Sequence, residues 1–524
     1  MTDRPDALVR VALVGVLVLT TVIYLRNLGQ APVYLGWDEA RTAVQAYSLA
    51  TTGRDMNGTP APLLFHITDP LIPNHSSVTW WQPLLFYMTA AVLRVAPLSQ
   101  WSVRLPNIGL AILNVWLMYA VARRLFANPW YAVVAAVMLA LTPAHFFFAR
   151  LAQDYFLPQT FALLWLLCLL RYLQTDRAWL PVAAGLVLGV ALYTHISSWL
   201  VMPFYLTVTS LALSFARKPF RAQAALWLGF AVALLPLIGW FWSHPSLLRD
   251  MFVNYGVVTS PAVAERVTLY WDYFNPSYLF FAGSADPMWS TRRAGIFLLA
   301  VAVLLPCGIW SIWARTHSIP RLLLLVGFFY APVPIAVTMP EAPAYSAARD
   351  LLAVPFGVLI SVAGVELLFA KAERSQVVRI VTVLLLLSLP IQFVVFARDY
   401  FSDYQLRSAF RHDFLNVREA VNYVVASDES ARVPAVYLSN DVSAGKAVQW
   451  KFHLLTHHRP DLWERTKYFS IAAFEPRDIA SGSLLVLTAN NPHLGELIGP
   501  DRCTVVHVVK DITDTPAASI LRRN

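Results

Sequence analysis

The chain has 524 residues, of which 57% are hydrophobic and only 14% are charged, and its mean hydropathy is +0.54. A soluble protein of this length could not bury so much apolar surface, so the composition excludes a soluble enzyme and predicts a polytopic α-helical membrane protein. The net charge of +9 is typical of membrane proteins that contact anionic lipid, and no basic or zinc-finger module points to nucleic acid. The three cysteines lie far apart, which argues against a disulfide framework.

Apolar segments of about 17–22 residues recur along the chain, close to the ~20 residues that a spanning helix needs. A further segment at 83–96 is too short to cross, so we predict an interfacial or re-entrant helix there. The first segment has basic flanks but no small-residue cleavage site, and we interpret it as a retained anchor. The eleven predicted spans are 8–24, 104–125, 130–148, 157–174, 179–196, 198–216, 222–243, 294–314, 321–338, 350–370 and 377–397.

The basic residues set the predicted orientation of these helices. If 83–96 does not cross, most of the basic loops fall on the same side as the N-terminus, which is the positive-inside pattern. Arg292 and Arg293 are exceptions, because they fall on the outer side; they either count against this orientation or have a functional use. The outer side then holds 27–82, 149–156, 244–293, 339–349 and the region after 397.

The C-terminal region from about 398 is more polar than the rest of the chain. It combines a helical pattern at 414–425 with strand-like runs at 435–439, 484–488 and 503–509. We therefore predict a small extracytoplasmic α/β domain. The predicted organisation is a transmembrane domain at 1–397, which includes a first outer loop with interfacial helices at 27–97, and an α/β domain at 398–524.

Adjacent carboxylates, Asp38 and Glu39, follow the first apolar segment directly and are flanked by Trp37 and Arg41. A carboxylate pair at the mouth of a helix bundle predicts a site where a hydroxyl group is deprotonated. Asp154 lies in the turn at 149–156, on the same predicted side. The alternative is that these residues are helix caps or surface charges, although ionisable residues at membrane helix ends tend to be functional.

Further candidates lie in the same first outer loop and near later outer helix ends. His66, Asp69 and His75 are loosely spaced and could bind a metal, whereas the tryptophans beside Gln82 are typical of an interface belt. Arg349 precedes a late helix, and its planar guanidinium suits a phosphate group; the alternative is an arginine that snorkels to the interface. We interpret His195, near an outer helix end, as a satisfied interfacial histidine.

An ordered set of segments resembles the GT-C glycosyltransferases, in particular the bacterial relatives of protein O-mannosyltransferases and of the lipid A aminoarabinose transferase. The resemblance covers about 30–370, and its order along the chain makes it specific. The segments are WDE at 37–39, GRDMNG at 53–58, WQPLLFY at 81–87, SVRLP at 102–106, RRLF at 123–126, the turn from Arg150 to Asp154, DYF at 272–274, STR at 290–292 and Arg349.

The resemblance implies transfer of a sugar from a polyprenyl-phosphate or polyprenyl-diphosphate carrier to an acceptor hydroxyl on the extracytoplasmic face, usually with inversion. It implies that Asp38 is the general base and that Glu39 and Asp154 position acceptor and donor. Arg349, with Arg292 or Arg293, would neutralise the leaving phosphate. The predicted substrate-binding residues are Arg41, His66, His75, Trp81, Gln82, Arg150, Tyr155 and Tyr345.

No cofactor is expected to be required; if a divalent metal ion takes part, its predicted ligands are Asp38, Glu39 and Asp154. The expected partners are a polyprenyl-phosphate-linked sugar, a cell-envelope glycan, lipid or protein acceptor, and membrane lipid. The expected location is the inner or plasma membrane of a bacterium.

Two other functions stay open at the sequence level. One is a transporter or flippase of lipid-linked sugars, which is expected to place charged residues near the midplane of repeated helices. Here the charges cluster at one face and no repeat is visible, which favours the enzyme. The other is a catalytically inactive scaffold, against which the intact Asp38 argues.

Overall fold

The computed structural model describes most of the chain as α-helix. The described residues are 3–67, 79–254, 263–315, 318–338, 346–442, 444–470 and 479–524. The helices up to Phe401 are α1 (Asp3–Leu25), α2 (Trp37–Thr52), α3 (Leu84–Leu93), α4 (Gln100–Leu125), α5 (Pro129–Ala140), α6 (Pro143–Ala149), α7 (Leu157–Thr175), α8 (Trp179–Ala191), α9 (Ser198–Phe215), α10 (Phe220–Ser243), α11 (Leu247–Asn254), α12 (Val263–Asp272), α13 (Val301–Arg315), α14 (Ile319–Tyr330), α15 (Val333–Thr338), α16 (Ala353–Ala372) and α17 (Gln376–Phe401).

Eight segments of the described chain are long and apolar enough to cross a membrane, and α5 with α6 forms a ninth that bends by 58°. The chain is therefore a multi-pass membrane protein. Two more of the eleven predicted spans correspond to α8 and α13, which are apolar but have only 13 and 15 residues, fewer than the ~20 of a typical spanning helix. The predicted span at 294–314 is longer than α13, since the apolar residues at 294–300 continue the run without continuing the helix. The short predicted helix at 83–96 is α3, which has ten residues.

Small residues allow two pairs of helices to approach closely. A Cβ atom on Gly185 of α8 would lie 1.9 Å from the Leu226 carbonyl oxygen, and one on Gly229 of α10 would lie 2.1 Å from that of Val182. Gly308 of α13 and Gly364 of α16 make the same kind of contact with the backbone of the facing helix. Such contacts hold membrane helices together by packing, because lipid gives no hydrophobic drive between them.

Two strands in the first outer loop, β1 (Phe65–Ile67) and β2 (Thr79–Trp81), pair antiparallel and bring Trp81 opposite Phe65. A five-stranded sheet lies in the C-terminal region, in the order β4-β3-β5-β7-β6, with β3 parallel to β4 and β5 and with β7 antiparallel to its neighbours. Its strands are β3 (Val436–Ser439), β4 (Thr466–Phe469), β5 (Leu484–Thr488), β6 (Cys503–Lys510) and β7 (Pro516–Arg523). Its helices are α18 (Asp403–His412), α19 (Val417–Ser430), α20 (Ala444–Thr456), α21 (Pro460–Glu464) and α22 (Leu494–Leu497). The predicted α/β character of this region is confirmed.

The C-terminal region packs against the segment that leads into α2. The Gln449 side chain of α20 donates to the Leu35 carbonyl oxygen at 2.5 Å, and the Arg418 side chain of α19 donates to that of Val33 at 2.9 Å. Val448 and Phe452 bury apolar surface with Leu35 and its neighbours on α2. The sheet-containing region therefore lies on the same face of the helix bundle as the start of α2.

Candidate active site

The first turn of α2 carries the adjacent carboxylates. Gly36 precedes the helix in an extended conformation, so Asp38 and Glu39 stand where free backbone N–H groups and the helix dipole favour negative charge. Consecutive residues on a helix point about 100° apart, because the helix has 3.6 residues per turn. The two side chains therefore face different surroundings.

Asp38 lies against a polar cavity of about 50 Å³ between α2, the β2–α3 junction and the turn before α7. Asp38 is only 9% exposed. Five of the predicted site residues line this one cavity, together with three residues that were not predicted to act there. The lining residues are Asp38, Thr42, Trp81, Gln82, Gln153, Asp154, Tyr155 and His195.

Burial raises the pKa of Asp38 above its usual value, although the charges of Arg41 and Arg349 oppose the shift. Arg41 lies one turn further along α2, with its Nη1 atom 3.5 Å from the Asp38 Oδ1 atom. Its guanidinium stacks over the rings of Trp37 and Trp81, at 4.9 and 5.9 Å from their centroids. Asp38 is thus a poorly solvated carboxylate whose charge two arginines support.

Glu39 does not reach the cavity, in contrast to its predicted role in positioning substrate. Its side chain is fully buried against Arg104 of α4, with Nε to Oε1 at 2.8 Å and Nη2 to Oε2 at 3.0 Å. The backbone N–H groups of Gly36 and Ala152 donate to the same carboxylate at 3.0 and 2.9 Å. Burial raises the pKa of Glu39, but the ion pair and these hydrogen bonds outweigh it and leave the pKa below its usual value. Glu39 therefore joins the first turn of α2, which carries Asp38, to the turn that carries Asp154.

A second, larger cavity of about 260 Å³ shares Tyr155 and His195 with the polar cavity. Arg349 lines it, and the remaining walls are mostly apolar side chains from α9, α11 and α15. Arg349 and Tyr155 line this cavity together, and the buried Nη1 atom of Arg349 has no hydrogen-bond partner among the described residues. The neighbouring Asp350 instead accepts a hydrogen bond from Tyr278 at 3.3 Å. Arg349 is therefore a cation at the junction of a polar and an apolar cavity.

His195 belongs to the site, although its sequence pattern suggested a satisfied interfacial residue. Its ring lies 4.6 Å from that of Tyr155, between centroids, and its Nδ1 atom is 2.7 Å from the Ser197 hydroxyl. Burial lowers the pKa of His195 to about 3, so the ring is neutral. Its position at a helix end on the predicted outer side, like that of Asp154, was the available signal. Thr42 and Gln153 gave none, because each is a single uncharged polar residue.

Arg150 is not in the cavity, which differs from its predicted role in substrate binding. It is fully buried and donates hydrogen bonds to the carbonyl oxygens of Tyr24, Asn27 and Ala31 at 2.6–3.2 Å. Its guanidinium also lies over the Phe146 ring. Arg150 therefore joins the end of α1 to the turn after α6, and its guanidinium donates to backbone carbonyl oxygens instead of to a substrate.

Arg292 and Arg293 do not converge on Arg349 either. Arg292 donates to the Ala285 carbonyl oxygen, and Arg293 forms ion pairs with Asp399 and Asp403 at 2.7 and 3.1 Å. Arg292 therefore bonds within its own loop, whereas Arg293 ties that loop to the end of α17 and the start of α18. Their predicted role at the leaving phosphate has no support in this geometry.

The remaining predicted residues lie elsewhere. The His66 ring packs on Trp80 at 4.7 Å between centroids and is not part of the cavity lining. His75, Asp69 and Tyr345 lie outside the described residues. Among the described residues no group of three or more histidine, cysteine, aspartate or glutamate side chains could hold a metal ion. The predicted set of three carboxylates is not formed, because Glu39 faces Arg104.

Comparison with known proteins places this geometry in a known fold. The chain superposes on ArnT from Cupriavidus metallidurans, solved with bound undecaprenyl phosphate, with a TM-score of 0.61 at 13% identity over 97% of each chain. The apo structure of the same protein gives 0.60 over the same coverage. The oligosaccharyltransferase AglB from Archaeoglobus fulgidus, solved with an inhibitory peptide and a dolichol-phosphate, gives 0.50 at 12% identity over 86% of this chain and 64% of its own.

The fold is that of the GT-C glycosyltransferases. Residues 76–242 also match the family described as dolichyl-phosphate-mannose-protein mannosyltransferase. No curated protein matches the sequence of the chain. The family match and the fold together confirm the resemblance to carrier-lipid-dependent GT-C enzymes that the ordered segments indicated.

Proposed function

We propose that this protein transfers a sugar from a polyprenyl-phosphate or polyprenyl-diphosphate carrier to an acceptor hydroxyl group. One observation carries the proposal: the cavity that holds Asp38 and Asp154 shares two wall residues with an apolar cavity that holds Arg349. The order of a base, a cation and an apolar cavity matches the order of three chemical groups in the reaction. They are the acceptor hydroxyl, the sugar phosphate and the lipid tail.

Asp38 is the proposed general base. An alcohol is a weak nucleophile until its proton is removed, and a carboxylate of raised pKa is suited to remove it near neutral pH. The acceptor oxygen then attacks the anomeric carbon while the bond from that carbon to the phosphate oxygen breaks. The proton passes to Asp38, and the carrier leaves as its phosphate. Attack from the side opposite the phosphate inverts the anomeric configuration.

Arg349 is the proposed partner of the leaving phosphate. Its Nη1 atom, which has no hydrogen-bond partner in the described part of the chain, can donate to an oxygen whose negative charge grows as the bond breaks. Tyr155 lines the same cavity as the guanidinium and offers a hydroxyl group beside it. The apolar walls from Leu248, Met251 and Ile335 suit the first isoprene units of the carrier.

Asp154 is proposed to bind sugar or acceptor hydroxyl groups together with Gln82, because both line the polar cavity. If a divalent metal ion takes part, Asp38 and Asp154 are the residues that would hold it, because both carboxylates line this cavity. It would supply positive charge for phosphate or sugar oxygens. We propose transfer on the extracytoplasmic face of a bacterial inner membrane, to a glycan, lipid or protein of the cell envelope.

The test is turnover by purified protein in nanodiscs with a panel of polyprenyl-phosphate and polyprenyl-diphosphate sugars, read as released carrier by mass spectrometry. Asp38→Asn is expected to lower carrier release by about 10²–10⁴-fold, the usual contribution of a general base. Asp176→Asn is the matched control, since Asp176 lies at the other end of α7 and is ion-paired to Lys218. It is expected to retain activity.

Two results would contradict the proposal. Full carrier release by Asp38→Asn would remove the general-base assignment. An absence of turnover with every donor, combined with movement of labelled lipid-linked sugar across proteoliposome membranes, would favour the transporter or flippase instead.

A further inference from the structure

A basic cavity lies at the end of the helix bundle opposite the candidate active site. Asn107 of α4 holds the carbonyl oxygens of Leu151 and Gln153 beside the active site, at 2.6 and 2.9 Å. Arg124 lies 17 residues further along the same helix, about 25 Å away at 1.5 Å per residue. The site near Arg124 is therefore separate from the proposed reaction and does not depend on it.

The cavity has a volume of about 120 Å³, several times the roughly 30 Å³ that one water molecule occupies in the liquid. It lies where α4 and α7 end and α8 begins. Three arginines and a tryptophan are four of its six lining residues, and no carboxylate lines it among the described residues. The lining residues are Arg124, Arg171, Thr175, Arg177, Trp179 and Leu180.

The orientation of Arg124 is fixed by a reciprocal pair of hydrogen bonds. Its Nη1 atom donates to the Gln174 Oε1 atom at 2.9 Å, and the Gln174 Nε2 atom donates to the Arg124 carbonyl oxygen at 3.0 Å. Asp176, the nearest acidic residue in sequence, forms an ion pair with Lys218 instead. Three positive charges thus surround one space without an opposite charge in its lining.

We propose that this cavity binds the phosphate group of an anionic membrane lipid. Several guanidinium groups around one space match the oxygens of a phosphate, which arginine contacts through two parallel hydrogen bonds. Basic pockets between membrane helices at one face of the bilayer are suited to anionic headgroups. Trp179 is 55% exposed at the rim, where an amphipathic ring is typical of the membrane interface. This rim favours a lipid over a soluble phosphate as the source.

The positive-inside rule alone would account for arginines at this face. It does not require them to enclose a cavity, nor does it fix one of them by reciprocal hydrogen bonds. The proposal therefore predicts a difference between these arginines and equally basic residues elsewhere on the same predicted side. Arg374 and Arg379 are suitable for comparison, because both are exposed near the turn between α16 and α17 and do not line the cavity.

The experiment compares the thermal stability of the full-length protein in nanodiscs of phosphatidylcholine with and without phosphatidylglycerol, and counts retained lipid by native mass spectrometry. Phosphatidylglycerol is expected to raise the Tm of the wild type by about 2–4 °C and to remain bound. The double variant Arg171→Gln/Arg177→Gln is expected to lose this rise and the retained lipid. The double control Arg374→Gln/Arg379→Gln is expected to keep both.

Three controls make the outcome decisive. Equal Tm values of all proteins in pure phosphatidylcholine show that the variants fold, and Arg171→Lys/Arg177→Lys, which keeps the charge, is expected to retain part of the rise. A rise caused by inorganic phosphate in detergent, lost in the glutamine variant, would support the phosphate site with a soluble source. An equal rise in every variant, or no rise with either probe, would overturn the proposal.

Discussion

Two neighbouring carboxylates have opposite surroundings in this protein. Asp38 faces a small polar cavity and has a raised pKa. Glu39 is instead buried, and its carboxylate accepts four hydrogen bonds. One side chain is left free for chemistry because the other holds the helix start in place. The difference follows from the helix geometry, which turns consecutive residues toward different neighbours.

The electrostatic support of Asp38 leads to a pH prediction. A general base acts only when it is deprotonated, so kcat/KM falls as the pH drops through the pKa of Asp38. Arg41 stabilises the carboxylate, and Arg41→Gln removes that charge, which raises the Asp38 pKa further. We therefore expect the acidic limb of the kcat/KM profile to move to higher pH in Arg41→Gln, measured by carrier release across the pH range.

Arg94→Gln provides the control, because Arg94 is exposed at the end of α3 and does not line the cavity. Its acidic limb should match that of the wild type. A limb that stays in place in Arg41→Gln, whatever the change in its height, would show that another group titrates there.

The Glu39 network leads to a stability prediction. Glu39→Gln leaves the Arg104 guanidinium buried without its counter-charge, and loss of one partner of a buried ion pair costs about 3–5 kcal/mol. We expect a clear drop in the thermal unfolding temperature, measured in detergent by fluorescence-detected size-exclusion chromatography. Asp514→Asn, which removes a largely exposed partner of Lys510, should leave that temperature nearly unchanged. A Glu39→Gln protein that is stable but inactive would instead assign Glu39 to the reaction.

Sequence reasoning located much of the candidate site. It could not distinguish charged residues that face the cavity from charged residues that bind other protein groups. Asp38, Asp154 and Tyr155 do line one cavity, since all three lie at helix ends on one predicted side. Glu39 and Arg150 carry the same signals, yet their side chains bind other protein groups. A single sequence shows which face of the membrane a residue occupies, but the direction of its side chain depends on helix rotation.

At the scale of elements, the α8–α10 contact gives a third prediction. Gly229→Ala would place a Cβ atom 2.1 Å from the Val182 carbonyl oxygen, so the helices must separate. Overpacking of this kind typically costs about 1–3 kcal/mol, and a lower unfolding temperature is expected. Gly239→Ala on the same helix has open space and should be neutral or slightly stabilising. Equal stability of the two variants would show that the helices do not approach so closely.

The predictability of the elements follows from the strength of their patterns. The long apolar runs predicted the helix bundle. The segments of β3, β5 and β6 predicted the α/β domain, since each is rich in β-branched or aliphatic residues. Two strands of this domain were missed. β4 (Thr466–Phe469) is short and partly charged, and β7 (Pro516–Arg523) begins with proline and small residues, so neither has a clear strand pattern. Their pairing with the neighbouring strands decides their conformation.

At the scale of the whole molecule, the candidate site and the C-terminal sheet share one face. Gln449 and Arg418 hold the backbone just before α2, within a few residues of Asp38. α17 has 26 residues and spans about 39 Å, so it carries the chain from the α16–α17 turn across the bundle to this face. We therefore expect the basic turn and the C-terminal sheet to lie on opposite sides of the membrane.

This arrangement gives the last prediction. Lys371, Arg374 and Arg379 flank the α16–α17 turn, and the positive-inside rule places such residues in the cytoplasm. In a background without the three native cysteines, Glu429→Cys in the C-terminal region is expected to react with an impermeant maleimide on intact cells. Glu373→Cys, equally exposed but in the basic turn, is expected to react only after lysis. The reverse pattern would place the candidate active site in the cytoplasm, where the proposed extracytoplasmic transfer could not occur.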